Sequence, residues 1–302
     1  MKIKKVEWCL AYRKRQSRLL ADAPDRISDF KIIKNSARYW CADPFVIKDG
    51  ECNYVFFEMY DRLKRKGEIG YRKIDAQGNI SSLKKAFEDE CHLSYPFIFK
   101  KDGDYYIIPE SSGKRQLYLL KATNFPDRWK IDKILMDDIR LVDTTLLEYR
   151  GQVYMFTTPI VEDNVSNLSV CRLKDGIFER EEAVTTVIKD KSRARMGGAF
   201  IMCDGEIIRV SQDCSHTYGG GLVFSKISLQ QDRFSEEIVS TIEGKNLMVD
   251  GKKFDGIHTY NCNGDYEFID LKIDRKFNIL ECVGYLRNKI VASYRKIFRK
   301  NK

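Results

Sequence analysis

Short apolar or aromatic runs alternate with tight polar turns along almost the whole chain. One pattern recurs five times: a short apolar strand, a turn centred on Gly with Asp, Arg or Asn before it, and a second apolar or aromatic strand. This pattern is typical of a β-hairpin. The hairpins follow one another at roughly 48 to 60 residues, and they begin at Asp43, Tyr95, Asp143, Gly198 and His258.

Further strand-like stretches with their own turns lie between the hairpins, for example at 68–74, 116–122 and 222–227. One repeat therefore supplies about four strands, and four strands at a period of roughly 50 residues are typical of β-propeller blades. We predict an all-β, five-bladed β-propeller over residues 1–282, with a strand near residues 6–12 that helps to close the ring. A β-sandwich is the alternative, but a sandwich gives no reason for a polar residue to recur at the same strand end.

Composition agrees with a folded domain and limits the partners that charge would attract. The 302 residues are 43% hydrophobic and include only 6 Pro, which excludes a disordered or collagen-like chain. The formal net charge of +9 comes from the two ends, because residues 1–20 and 287–302 are strongly basic whereas residues 21–286 carry a net negative charge. The body of the protein is not basic, so no nucleic acid is predicted as a partner.

Nothing in the sequence predicts a metal site or a cofactor. The nine cysteines are odd in number and form no C-x-x-C pair, so neither a zinc ribbon nor a disulfide scaffold is indicated. No apolar run approaches the roughly 18 residues that span a bilayer, and no uninterrupted apolar segment follows the basic N-terminus. We therefore predict reduced cysteines and a cytoplasmic protein without a transmembrane helix.

The last twenty residues have the pattern of a basic amphipathic helix, with Lys and Arg between the apolar positions. The apolar residues at helical spacing are Leu286, Ile290, Tyr294, Ile297 and Phe298. We predict a helix over residues 283–302 whose segment 286–302 binds an anionic membrane surface, which would make the protein peripheral at the inner face of the membrane. The alternative is a helix that packs across the propeller and exposes its basic face to solvent.

A polar residue stands at the start of the innermost strand of most repeats. In a propeller these positions converge on the central channel, where a carboxylate needs either solvent or a function. Asp43 and Asp143 hold them in the first and third repeats, and Glu110 ends the partner strand in the second. Carboxyl groups around a concave aromatic site suit general acid and base catalysis at a glycosidic bond. Asp43, Asp143 and Glu110 are therefore the candidate catalytic residues.

Other polar and aromatic residues near the same strand ends are candidates for sugar binding. They are Trp40, Glu58, Tyr95, Arg195, Gln212, Asp213, Tyr218 and His258. Aromatic rings stack on sugar rings, and Arg195, which lies close to flexible glycines, fits an anionic group such as a phosphate or carboxylate. Other roles stay open: core packing for the aromatic residues, turn capping for Asp43 and Asp143, and blade-to-blade hydrogen bonds for Glu110 and Asp213.

Several motifs, taken in order, resemble a known family. They are Trp40-Cys-Ala-Asp-Pro-Phe, His92-Leu-Ser-Tyr-Pro-Phe, Ile108-Pro-Glu-Ser, Asp143-Thr-Thr-Leu-Leu, Ser211-Gln-Asp-Cys and Tyr218-Gly-Gly. Over roughly residues 6–272 the chain resembles the N-terminal domain of the plant glucosamine inositolphosphorylceramide transferases and its stand-alone bacterial relatives. That domain is similar to the five-bladed propellers of glycoside hydrolase family 43, the arabinanase and xylosidase group.

The likeness to family 43 implies roles for two carboxylates. It places the general base on Asp43, in its Ala-Asp-Pro context, and the carboxylate that orients the acid on Asp143. The Glu that serves as general acid in family 43 has no counterpart, because the corresponding region reads Arg195-Met-Gly-Gly. Glu110 or Glu58 is the replacement to consider.

Together these observations predict a carbohydrate-active enzyme, either a glycosyltransferase or a glycosidase-like protein. Its substrate would be a nucleotide- or lipid-linked sugar used for a surface polysaccharide or glycolipid at the cytoplasmic membrane face. The main alternative is a catalytically inactive glycan-binding propeller that recruits a partner glycosyltransferase, which the missing Glu favours. A protein-interaction scaffold fits the fold equally well but leaves the inner carboxylates unexplained.

Overall fold

A computed structural model describes residues 5–162, 164–174, 179–180, 184–230, 233–275, 280 and 283–284. Within these ranges the protein is an all-β, five-bladed propeller built from antiparallel sheets. The fold predicted from the five hairpin repeats is confirmed. Each repeat forms one blade because its alternating apolar residues can be buried only against the neighbouring blades.

The strands are numbered along the chain and grouped by blade. The first two strands, which belong to blade 5, are β1 (Lys5–Lys14) and β2 (Lys31–Ile33). Blade 1 contains β3 (Tyr39–Asp49), β4 (Cys52–Asp61), β5 (Lys66–Ile74) and β6 (Lys84–Phe87). Blade 2 contains β7 (Ser94–Lys101), β8 (Asp104–Glu110), β9 (Leu117–Asn124) and β10 (Arg128–Met136).

The second half of the ring continues the same order. Blade 3 contains β11 (Leu141–Tyr149), β12 (Gln152–Pro159), β13 (Asn167–Lys174), β14 (Glu179–Arg180) and β15 (Thr185–Lys189). Blade 4 contains β16 (Ile201–Cys203), β17 (Glu206–Asp213), β18 (Gly221–Gln230) and β19 (Arg233–Glu243). A separate hairpin follows, with β20 (Leu247–Val249) and β21 (Lys252–Phe254). Blade 5 ends with β22 (Tyr260–Asn261) and β23 (Tyr266–Arg275). Short 3-10 helices span Pro24–Asp29 and Ser112–Lys114.

The N-terminal strand joins the two ends of the ring. Blade 5 has the strand order β2-β1-β23-β22, and β1 pairs with β23 without a register shift from Lys5↔Arg275 to Lys14↔Tyr266. A buried ion pair crosses this ladder, since Arg13 Nε donates to Glu267 Oε1 at 2.8 Å. The strand predicted near residues 6–12 therefore lies within β1, although the domain boundary predicted at residue 282 stays a prediction.

Among the described residues the core lies between the blades as four apolar clusters. One of them brings together Phe45, Phe97 and Phe156, from the inner parts of blades 1, 2 and 3. At the seam, Leu10 of β1 and Phe268 of β23 pack with residues of blade 1, so the last blade is held to the first by apolar contacts as well as by the strand ladder. Closing the ring in this way leaves the inner strand ends facing a common centre.

The predicted C-terminal helix falls mainly outside the described residues. Residues 285–302, which contain almost all of its basic and apolar positions, are not described, so both the helix and its membrane contact stay predictions. Gly284 is buried against the loop after β4, where a Cβ would lie 2.6 Å from the carbonyl oxygen of Leu63. In the described part of the chain, no helix has the length and apolar character required to cross a bilayer.

Candidate functional site

The innermost strands of blades 1, 2 and 3 share an irregularity at the same place. Asp43, Tyr95 and Asp143 all have left-handed backbones, with φ of +52°, +43° and +53°. Each coincides with a register shift against the partner strand. A β-bulge turns a side chain away from the regular alternation, and bulges are frequent beside active sites. The repeated polar position found in the sequence is therefore a repeated bulge.

The bulges bring the candidate residues to one end of the central channel. We call this group the central mouth, and it consists of Asp43, Glu58, Glu110, Asp143, Arg195, Gln212, Tyr218, His258 and Asp270. Hydrogen bonds or charge interactions among these residues link all of them. Most side chains are buried, whereas Tyr218 is 45% exposed and Glu110 and Arg195 are partly exposed, so the mouth is open to solvent on the blade 4 side.

The carboxylate of Asp43 is buried and held on both oxygens. Tyr95 N donates to Oδ2 and Thr259 Oγ1 donates to Oδ1, each at 3.1 Å. His258 Nε2 lies 3.3 Å from Oδ1. Burial raises the pKa of Asp43 to about 6 against the opposing charge of His258, and the neighbouring carboxylates add to the rise. Asp43 is therefore mostly ionised at pH 7.

Asp270 connects the last blade to the first at this site. Its Oδ1 accepts hydrogen bonds from the backbone N–H groups of His258 and Thr259, both at 3.0 Å, and its Oδ2 accepts one from Asp43 N at 2.9 Å. His258 Nδ1 lies 2.7 Å from Oδ2, close enough for an ion pair but not aligned as a hydrogen bond. Burial lowers the pKa of His258, but the charges of Asp270 and Asp43 outweigh it and raise the pKa above its usual value.

Asp143 is held from blade 4. Its Oδ2 accepts hydrogen bonds from Arg195 Nε at 2.6 Å and from Gln212 Nε2 at 3.1 Å. The guanidinium carbon of Arg195 lies 5.0 Å from the centre of the Tyr218 ring, a cation–π contact. Among the described residues none accepts a hydrogen bond from the two Nη groups of Arg195, so these donors remain for a ligand.

Two glutamates of the mouth, Glu110 at the end of β8 and Glu58 within β4, have raised pKa values. Burial and the charge of Asp143 raise the pKa of Glu110 to about 8, although Arg195 opposes this rise. Burial, followed by the charges of Asp43 and Glu110, raises the pKa of Glu58 well above its usual range. A protonated carboxyl can donate a proton or a hydrogen bond, which an ionised one cannot.

Two of the predicted substrate-binding residues lie elsewhere. Tyr95 is completely buried, and its hydroxyl contacts Thr145 Oγ1 and the backbone of Gly198, so it closes the channel below the mouth instead of lining it. The carboxylate of Asp213 accepts hydrogen bonds from Ser215 N and Oγ and lines a separate groove of about 530 Å³. Tyr95 therefore makes contacts between blades and Asp213 stabilises a local turn. These are structural roles of the kind that the sequence left open.

Trp40 and Glu58 lie on the blade 1 side of the mouth. Trp40 is half-buried, and its ring is stacked on Tyr60 with centroids 4.5 Å apart. Glu58 is buried, and its Oε1 lies 3.4 Å from Nε2 of His92. Tyr60 and His92 are not among the candidate residues named from the sequence, although His92 begins one of the motifs that carry the family resemblance.

Two further residues at the mouth were also missed. Trp8, on the closing strand β1, stacks on the ring of His258 at 3.8 Å. Thr259 is the hydroxyl donor to Asp43. The sequence placed the N-terminal strand in the ring, but only pairing with β23 brings Trp8 beside the last blade, so no local signal could have identified it.

The donor atoms of Asp43, His258 and Asp270 lie within 4.8 Å of one another, which is compact enough for a metal ion. A cation in this position would have to replace the contacts that His258 makes with both carboxylates. The three groups already compensate one another in charge, and we assign no metal to them.

The fold and the central mouth define a class: a five-bladed propeller with carboxyl groups and one arginine at the channel entrance. Residues 29–263 match the family model described as "Glucosamine inositolphosphorylceramide transferase 1, N-terminal". The chain belongs to this family, as its motifs predicted. It is 32% identical over 203 residues to glucosamine inositolphosphorylceramide transferase 1 of Oryza sativa subsp. indica, and 32% identical over 218 residues to that of Arabidopsis thaliana. These alignments cover 65% and 68% of this chain but only 27% and 28% of the relatives, so the chain spans about a quarter of their length.

Solved structures with the same fold come from carbohydrate-active enzymes. The catalytic domain of an α-L-arabinofuranosidase from Coprinopsis cinerea is similar with a TM-score of 0.58 at 11% identity, covering 78% of this chain and 90% of that one. An exo-1,5-α-L-arabinanase from a bovine ruminal metagenomic library is similar with a TM-score of 0.53 at 12% identity, covering 82% and 96%. At such low identity these similarities support the fold and nothing further.

Proposed function

We propose that the chain is a carbohydrate-active enzyme that transfers or cleaves a glycosyl group in its central mouth. The observation that carries the proposal is the difference between two carboxyl groups of one site. Glu110 has a pKa of about 8 and keeps its proton at pH 7, whereas Asp43 has a pKa of about 6 and is ionised. Paired carboxyl groups whose environments separate their pKa values are the arrangement used for general acid and general base roles.

In the proposed reaction each group has a defined task. Glu110 donates its proton to the oxygen that leaves the sugar, so the leaving group, an alcohol from a simple glycoside or a phosphate from a phosphate-linked sugar, departs with that proton and Glu110 becomes a carboxylate. Asp43 accepts the proton of the attacking water or acceptor hydroxyl as the new bond to the sugar forms. Asp143 orients Arg195 through the 2.6 Å hydrogen bond. The remaining donors of Arg195 hold an anionic part of the substrate, such as a phosphate.

The same contacts and the family support the substrate class that we propose. An arginine held at the mouth favours a sugar that carries a phosphate, which nucleotide-linked and lipid-linked sugars share. The name of the plant relatives, a transferase that acts on a phosphorylated ceramide lipid, supports a glycolipid or surface-polysaccharide precursor. We extend the proposal to action at the cytoplasmic face of the membrane, with the basic segment 286–302 as the membrane contact.

The test is a turnover screen by NMR of the purified 302-residue chain with nucleotide sugars, prenyl-phosphate sugars and simple glycosides. We expect turnover by the wild type and a loss of at least about a hundredfold in both Glu110→Gln and Asp43→Asn, because general acid–base catalysis contributes about that factor or more. Gly113→Ala is the matched control, since a Cβ there would meet nothing closer than Cys91 Cβ at 3.6 Å. Unchanged turnover in Glu110→Gln and Asp43→Asn would contradict the assignment of these residues as general acid and general base.

One observation favours a second candidate, a glycan-binding propeller without catalysis that recruits a partner glycosyltransferase. Both oxygens of Asp43 already accept hydrogen bonds from the protein, which reduces its basicity toward an incoming hydroxyl. This candidate predicts sugar binding by the wild type and by Asp43→Asn, with turnover by neither. The same NMR screen distinguishes the two because it records binding and product separately.

A further inference from the structure

The blade 1 side of the mouth holds a buried polar group that the proposed acid–base pair does not use. Glu58 is 6% exposed, and its Oε1 has no aligned hydrogen bond among the described residues. A buried carboxyl oxygen without a partner costs free energy, so such an atom is expected to serve a ligand. The charges of Asp43 and Glu110 act on Glu58, so the group lies beside the proposed reaction centre.

His92 is fixed as a hydrogen-bond donor toward this group. Its Nδ1 accepts the backbone N–H of Gly67 at 3.0 Å, so in the neutral ring the proton is on Nε2. Nε2 lies 3.4 Å from Oε1 of Glu58. Burial and the charge of Lys66 lower the pKa of His92, which favours the neutral ring. A hydroxyl group that contacts both atoms from the open side would accept a hydrogen bond from His92 and exchange one with Glu58.

An aromatic surface adjoins the pair. The register of blade 1 pairs Ala42 with Glu58 and Trp40 with Tyr60, so Glu58, Tyr60 and Trp40 are on the same face of the sheet. Trp40 and Tyr60 are stacked at an interplanar angle of 11° and are both half-buried, and the rings of Tyr60 and His92 are 6.3 Å apart. A partly exposed indole beside hydrogen-bonding groups is the combination that binds a sugar ring, whose faces are apolar and whose edges are hydroxyls.

Gly67 makes this arrangement possible. It pairs with Tyr60 in the strand ladder, and a Cβ at its position would lie 2.8 Å from Oε1 of Glu58 and 2.9 Å from Cε1 of His92. It would also lie 2.3 Å from the carbonyl oxygen of Leu93. Any other residue at this position would displace Glu58 and His92, so the close approach of the two groups depends on the missing side chain.

We propose that Trp40, Glu58, Tyr60 and His92 form an acceptor subsite that binds a neutral sugar or polyol, apart from the Arg195 side that holds the donor. The inference rests on the proposed function and extends it from glycosyl processing in general to transfer onto a hydroxyl compound. None of the four side chains is a fixed cation, the nearby Lys66 already donates to the carbonyl oxygen of Asp89, and the charge of Asp43 acts on Glu58, so we take the acceptor to be neutral. The acceptor ring lies on Trp40 with a hydroxyl directed at Glu58 and His92.

The test is direct binding, which does not depend on turnover. The probes are methyl α-D-glucopyranoside, methyl β-D-galactopyranoside and methyl α-L-arabinofuranoside, observed by saturation-transfer NMR with the full chain. We expect at least one probe to bind the wild type, with affinity reduced about tenfold or more in Trp40→Ala and in Gly67→Ala and recovered in part in Trp40→Phe. Gly113→Ala is the matched Gly-to-Ala control, and its affinity should equal that of the wild type.

A second readout separates this inference from the proposed function. Where a donor is turned over, Trp40→Ala and His92→Gln should lose transfer to the bound acceptor while they keep hydrolysis of the donor by water. One outcome would overturn the subsite and leave the proposed function intact. In that outcome Glu110→Gln and Asp43→Asn lose both activities, whereas Trp40→Ala keeps full acceptor binding and transfer. No binding of any of the three probes by the folded wild type, as checked by circular dichroism, would also overturn it.

Discussion

Glu110 and Asp43 belong to one mouth but differ in protonation because their surroundings differ. Burial and the charge of Asp143 raise the pKa of Glu110 to about 8. Burial also raises the pKa of Asp43, but the charge of His258 opposes this rise, and the pKa is about 6. Activity that needs Asp43 ionised and Glu110 protonated should therefore rise with pH through about 6 and fall through about 8. A bell-shaped profile of kcat/KM would record these two limits.

A substitution at Arg195 tests the assignment of the alkaline limit. The positive charge of Arg195 lowers the pKa of Glu110, so Arg195→Gln should raise that pKa and move the alkaline limit to higher pH. Asp143→Asn removes a charge that raises the pKa of Glu110, so its limit should move the opposite way. A ¹³C NMR titration of the Glu110 carboxyl measures both shifts independently of rate. If the alkaline midpoint of the kcat/KM profile were the same in the two variants, the alkaline limit would belong to another group.

Strand geometry explains why single residues reach the centre. Each of the bulges at Asp43, Tyr95 and Asp143 uses the same left-handed backbone, but the three side chains differ in task. Asp43 and Asp143 supply carboxylates, and Tyr95 fills the channel below them and donates its backbone N–H to Asp43. The repeated bulge therefore positions the two carboxylates and also Tyr95, which holds Asp43 in place.

The ladder between β1 and β23 closes the ring, and its buried ion pair should matter for stability. Arg13 and Glu267 are nearly inaccessible, and Glu267 also accepts hydrogen bonds from Leu20 N and Tyr260 Oη. We expect Arg13→Met to reduce the free energy of unfolding by about 3 to 5 kcal/mol, because it leaves a buried carboxylate without its counter-charge. Urea unfolding followed by circular dichroism measures the change.

An exposed ion pair provides the control for this stability measurement. Lys31 and Asp250 are joined at 3.3 Å with side chains that are 68% and 36% exposed. Lys31→Met should cost less than about 1 kcal/mol, since exposed pairs are weak. If Arg13→Met were as mild as Lys31→Met, the seam would not depend on its ion pair.

The whole molecule combines an acidic central mouth with strongly basic chain ends. We expect segment 286–302 to bind vesicles of phosphatidylcholine and phosphatidylserine. Each basic residue near the surface should contribute about 1 kcal/mol of binding free energy, and the affinity should decrease strongly at high salt. The variant Lys296→Glu/Arg299→Glu should reduce co-sedimentation sharply. Lys130→Glu/Lys253→Glu, with the same change in net charge on the propeller surface, is the control. Equal loss in both variants would indicate a general charge effect.

The repeats allowed the fold to be predicted because a blade is a local unit. Its turns, such as Asp49-Gly50 with Gly50 at φ +55°, and its alternating apolar residues are encoded within about 50 residues of chain. The site was predictable where it coincides with the repeat, as at Asp43, Asp143, Glu58 and Glu110. Residues outside the repeated position could not be found in this way. Trp8 reaches His258 only across the seam, and Tyr60 reaches His92 only across two blades.

The sequence by itself determined that the chain forms five similar β units, that carboxylates recur at their inner ends and that the chain belongs to its family. Only the tertiary structure decided which of those residues are open to a ligand. It buried Tyr95, turned Asp213 toward Ser215 and left Arg195 beside an exposed Tyr218. The physical reason is that strand formation depends on short-range alternation and turn chemistry, whereas burial, charge coupling and pKa depend on which blades meet when the ring closes.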